Sequence, residues 1–167
     1  MKKIEKLAKD IEQALIDFSP VVLEYGKDMV VGFPNETNSS DLIIFVKEDD
    51  IVMTFGFQNA HFSPDDLYSL VEHTKKYLNS EYASIEFFVG DKDLFGGSRL
   101  SSTIDFSSVD KIVDCYALDN QVARDGLYKF FKENKDVVVR AVTYDNKINK
   151  VANIYYDGEN FKVLETR

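Results

Sequence analysis

"DLIIFVKEDDIVMTFGF", residues 41 to 57, is the stretch on which the fold turns. Two apolar runs, 41 to 47 and 51 to 57, flank three consecutive acids, Glu48, Asp49 and Asp50. Each run is short for a helix and rich in β-branched and aromatic residues, so the pattern predicts a hairpin closed by an acidic turn. In the second run Ile51, Met53, Phe55 and Phe57 share one face, and Val52, Thr54 and Gly56 take the other. Apolar residues on both faces predict an interior strand that is covered on both sides.

Working outward, "VVLEY" and "MVVGF" around "GKD" predict a second pair of strands, and "PNETNSS" (34–40) has the composition of a loop. The first segment places Ile4, Leu7, Ala8, Ile11, Leu15 and Phe18 at the spacing of one helical face, ended by Ser19 and Pro20. "SPDDLYSLVEHTKKYLN" predicts a helix from 64 to 79. Ser63 caps it, Pro64 takes its first position, and Asp65 and Asp66 complement the positive end of the dipole. Leu67, Leu70, Val71 and Leu78 give its buried stripe.

Residues 84 to 89, "SIEFFV", read as a strand leading into "VGDKDLFGGSRL" (89–100), a connection in which Gly96 and Gly97 permit the turn while Asp91, Asp93 and Arg99 face water. "RLSSTI" returns antiparallel. "SSVDKIVDCYAL" (106–117 onward) fits either a short helix or a strand. Asp119 or Asn120 caps a further helix running to about Lys135, with Ala123, Leu127, Phe130 and Phe131 inward, although Gly126 inside it costs about 1 kcal/mol relative to alanine. "DVVVRAVTY", "KVANIYY" and "NFKVLE" then predict a C-terminal three-stranded meander. The expected fold is one α+β domain over 1–167, mostly antiparallel, with about three helices.

Composition narrows the function classes. Apolar residues make up 44% and charged residues 29%, so disorder is not expected. One cysteine, Cys115, rules out an intramolecular disulfide and suits a reducing cytoplasm. Glu5, Lys6, Lys9, Asp10 and Glu12 break up the first segment, so it reads as a helix rather than an export signal. The longest nearly apolar run, "IVMTFGF", is far below the roughly 20 residues that span a bilayer.

The net charge is −9, from 20 basic and 29 acidic residues, and residues 21 to 100 carry 6 basic against 14 acidic. That field repels nucleic acid and anionic lipid and favours a cationic partner. Its ordinary use is solubility.

Motif by motif, specific chemistry recedes. Gly90 and Gly96 are separated by five residues, with Gly97 where a phosphate loop needs lysine. A calcium loop starting at Asp91 would place Asp93 and Gly96 correctly but Phe95 and Ser102 at positions that need oxygen ligands. His61 and His73 lie twelve apart, not at the spacing of a metal-binding helix. Cys115 sits in an apolar run with no base nearby in sequence. No cofactor or metal is expected, and the aromatic residues lack the cationic groove that single-stranded nucleic acid requires.

The order "IVMTFGFQNAHF", then the helix from 64 to 79, then "IEFFVGDKDLFGGSR" resembles small acidic bacterial proteins of the immunity type, which neutralise a cognate toxin by binding it. The likeness covers roughly residues 41 to 105. It implies a non-enzymatic cytoplasmic binder whose partner is a basic toxin, and it carries no catalytic residues across. The expected contacts are Glu48, Asp49, Asp50, His61, Asp91, Asp93 and Arg99. Two competing readings are a metal-assisted hydrolase using His61 and nearby carboxylates, and a housekeeping structural module.

Overall fold

Short turns set the architecture. A computed structural model describes residues 1–35 and 41–166, with Thr166 described by its backbone only; the loop reading of 34–40 falls mostly outside these residues. The chain forms two compact units: residues 1–81 with 144–146, and residues 82–143 with 147–167. Each carries its own five-stranded antiparallel sheet. The described architecture is therefore α+β and antiparallel as expected, with two sheets and four α-helices in place of one sheet and about three helices.

In the first unit, α1 (Lys3–Ala14) buries Ala8 and Ile11, with Leu15 just beyond it. Five strands then follow as a simple meander: β1 (Val21–Tyr25), β2 (Asp28–Phe33), β3 (Leu42–Val46), β4 (Ile51–Phe55) and β5 (Gln58–Phe62). The central hairpin forms as its sequence predicts, Leu42 facing Phe55 and Val46 facing Ile51. The second apolar run ends earlier than expected, because Gly56 and Phe57 form a two-residue turn that starts β5. Gly56 takes φ +58, as the first position of such a turn requires.

α2 (Leu67–Leu78) begins three residues later than predicted. Ser63 caps a preceding turn, its Oγ accepting from Asp65 N at 3.2 Å, and Asp66 is the N-cap, accepting from Ser69 N at 3.1 Å. The hydrogen bonds from Ser69 hold the Asp66 carboxyl below its usual value. Both helices pack on one sheet face, where Val31, Phe33, Leu42, Ile44, Val46, Ile51, Met53 and Phe55 are buried. Tyr77 of α2 meets Phe55 with ring centroids 5.5 Å apart. Each such large side chain contributes roughly 1.5–3 kcal/mol by leaving water.

The second unit starts with β6 (Tyr82–Val89) and β7 (Lys92–Leu100), joined at Gly90 and Asp91. Gly90 has φ +60, so the turn falls here and not at Gly96 and Gly97, which lie inside β7 opposite Glu86 and Ile85. The undecided stretch is a helix, α3 (Val109–Ala117), because Ser108 caps it by accepting from Lys111 N at 3.2 Å. Asn120 caps α4 (Gln121–Glu133) through Ala123 N at 3.0 Å.

β8 (Val137–Val142), β9 (Asn149–Tyr156) and β10 (Phe161–Thr166) form the predicted meander, and β8 also pairs with β6. The sheet order is β10-β9-β8-β6-β7. α3 and α4 cover one face, burying Ile85, Phe87, Val139 and Ile154 against Ile112, Val113, Leu127 and Phe131.

Candidate functional site

Strand alternation decides which residues of the first unit remain available to a partner. With one face under α1 and α2, the opposite face presents cross-strand rows. One row reads Leu23, Val30, Phe45, Val52, His61, and beside it lies Val21, Gly32, Ile43, Thr54, Asn59. Val30, Ile43, Phe45 and Val52 are half-buried, and exposure rises at the edge to 59% for Leu23 and 68% for Tyr25. The sequence's expectation of cover on both faces of β4 is therefore met on one face only. The result is a contiguous apolar surface of a kind that marks interaction sites.

At one end of the apolar row, His61 Nδ1 lies 2.9 Å from Asp50 Oδ2. Folding thus brings together two of the expected contact residues from opposite ends of β4 and β5. Glu48, Asp49 and Asp50 line a cleft of about 620 Å³ with Asp28, facing Lys2, Lys3, Lys27 and Lys47. Four acids meet four lysines there, so the acidic turn sits in a balanced cleft. The unit's excess lies elsewhere: it holds 8 basic and 16 acidic side chains, a net −8, while the other unit holds 12 and 13, a net −1.

His73 lies within the first unit against α2's own packing, with ring centroids 5.4 Å from Phe62 and 5.3 Å from Tyr77. Burial holds its imidazole below the ordinary value, assisted by the nearby Lys76 charge. Among the described residues no three His, Cys, Asp or Glu side chains converge as metal ligands would.

The remaining expected contacts belong to the second unit and have three different environments. Asp91 is exposed in the β6–β7 turn. Asp93 sits on β7, part-buried, with Oδ1 buried and lacking a hydrogen-bond partner; burial raises its carboxyl while the Arg140 charge pulls the other way.

Arg99 does not project into water as its sequence position suggested. Its Nε donates to the carbonyls of Tyr116 at 3.0 Å and Cys115 at 3.2 Å, its Nη2 donates to the Tyr116 carbonyl, and its guanidinium lies 4.9 Å from the Tyr116 ring centre. A cation there satisfies the orphan carbonyls at the end of α3. Cys115 is buried, and burial pushes its thiol up, away from the thiolate a nucleophile needs.

Sequence reading missed the apolar row itself and a buried pair on the face of the second sheet opposite its helices. Glu86, fully buried, accepts from Arg140 Nη2 at 2.6 Å and Nε at 3.2 Å, and from Ser84 Oγ at 3.0 Å. Arg140 also lies over Phe88, 5.4 Å from its ring centre. For the apolar row a signal was present: valine, isoleucine and phenylalanine on both faces of the same strands. For the Glu86–Arg140 pair there was none, since its partners are 54 residues apart. No family model, curated protein or solved structure matches the chain.

Proposed function

We propose that this protein is a non-enzymatic binder of a cationic protein partner, acting in the bacterial cytoplasm as an immunity protein against a basic toxin. The observation that carries the reading is the uncovered apolar face of the first unit, centred on Val30, Phe45 and Val52, on the unit that holds nearly all of the chain's net negative charge. An apolar centre supplies affinity through a few desolvated anchors, and the surrounding charge raises the encounter rate.

The test is co-expression with the protein encoded beside this chain's gene, followed by stopped-flow association of the purified pair. The reading expects rescue of growth, a one-to-one complex and an on-rate that falls steeply between low and physiological salt. A salt-independent on-rate rules out electrostatic steering. Growth inhibition that this chain leaves unrelieved rules out the immunity role.

A further inference from the structure

Resting on that reading, we infer that the partner docks in part by adding an extended, cationic strand to the free edge of β1. β1 is the first strand of its sheet and, among the described residues, pairs only with β2, Val21 facing Gly32 and Tyr25 facing Asp28 across the two-residue turn Gly26–Lys27. A two-residue turn closes on a hydrogen-bonded pair, so Tyr25, Leu23 and Val21 exchange their bonds with β2. The N–H and C=O groups of Val22 and Glu24 therefore point away from the sheet, ready to pair with another strand.

Of the other three edges, β10 belongs to the unit that carries only −1, and β5 and β7 are less receptive. β5 presents exposed Asn59 and His61, and β7 carries a register irregularity opposite Phe87 and Phe88 that interrupts its ladder. A broken ladder blunts an edge, and polar side chains on the uncovered face offer an added strand no apolar surface. β1 has neither: its residues on the uncovered face, Val21, Leu23 and Tyr25, are 44%, 59% and 68% exposed and continue the apolar rows of the sheet. An added strand would lay alternate side chains against this apolar edge and the others beside exposed Glu24.

Charge chooses the occupant. Joining two copies edge to edge would set −8 against −8, whereas a segment of alternating apolar and basic residues meets an opposite field.

The experiment uses a ten-residue peptide of alternating lysine and valine, with the glutamate–valine peptide as control, added to the full chain while amide exchange is followed by residue. Exchange at Val22 and Glu24 is expected to slow at least tenfold with the lysine peptide and not with the glutamate peptide. Val22→Pro removes one outward N–H without touching the β2 ladder and is expected to weaken binding at least tenfold, whereas Val22→Ala is not. A lysine–valine peptide N-methylated on alternate amides keeps the test sharp should Val22→Pro fold poorly, and it too should bind at least tenfold more weakly.

Binding that leaves the two amides unprotected, or equal binding by the N-methylated peptide, overturns strand addition while leaving docking on the sheet face intact. Failure of the lysine peptide to bind overturns strand addition as well. Protection that grows with protein concentration in the absence of peptide assigns the edge to a second copy and overturns the cationic occupant.

Discussion

The two units share one plan, five antiparallel strands with two helices on one face, and put the opposite face to different uses. The first unit leaves an apolar row there and carries a net −8; the second, at −1, fills the corresponding face with Glu86, Arg140 and Asp93. A sheet face not covered by helices must satisfy its residues by internal pairing or leave them for another molecule. The second unit follows the first route at Glu86 and Arg140, and on the proposed reading the first unit follows the second.

The largest effect that separates them concerns stability. Arg140→Leu strands a fully buried carboxylate and is expected to cost about 3 kcal/mol in urea unfolding, with most of that recovered in the Glu86→Leu/Arg140→Leu double variant. An equal loss in the double variant would mean that packing, not charge pairing, governs this face. Phe45→Asp on the first unit should show the reverse profile. Stability changes little, while affinity for the cationic partner falls about thirtyfold, equivalent to about 2 kcal/mol. A fold that collapses on this change would show that the face is core and not interface.

Two glycines of the second unit sharpen the contrast at smaller amplitude. Gly126 lies in α4 with nothing within 4 Å of the position a Cβ would take, beside a small apolar cleft lined by Phe95, Tyr116 and Phe130. Gly126→Ala is expected to stabilise by about 1 kcal/mol in thermal or urea unfolding. Gly97→Ala should destabilise, because its Cβ would lie 3.0 Å from Arg99 Nη1 and 3.3 Å from the Tyr116 ring.

The smallest effect is a slope with pH. His73 has a lowered value in the folded chain, so below its ordinary 6.5 the unfolded state takes up protons first, and stability should fall as pH falls through that range. His73→Phe should flatten this slope; an unchanged slope would assign it to other groups.

Much of this was legible in the sequence, and the misses have local causes. Three hairpins share one turn signature, Tyr25-Gly26-Lys27-Asp28, Phe55-Gly56-Phe57-Gln58 and Val89-Gly90-Asp91-Lys92, each with glycine near φ +60. Only the first was read as a turn. In the second, Phe57 continues the period-two pattern of β4 although it is 55% exposed in the turn, so alternation concealed the break. In the third, the pair Gly96 and Gly97 drew the turn six residues too far along. Gly97 serves close approach by Arg99 and Tyr116, a need that arises only after α3 packs beside β7.

Arg99 was misread for the same reason: the carbonyls it satisfies are 16 and 17 residues away. The pairing of Asp50 with His61, by contrast, follows directly from a short meander. Local chemistry is readable when the residues that use it are joined by one turn. It fades when a helix must first be placed.

The most direct test is the exchange footprint of the cognate partner, measured on the chain alone and in a saturated complex. The account predicts slowed exchange across β1 to β4, residues 21–33 and 42–55, with β8 to β10 unchanged. Protection confined to the second unit, with β1 to β4 exchanging as in the free chain, would contradict it.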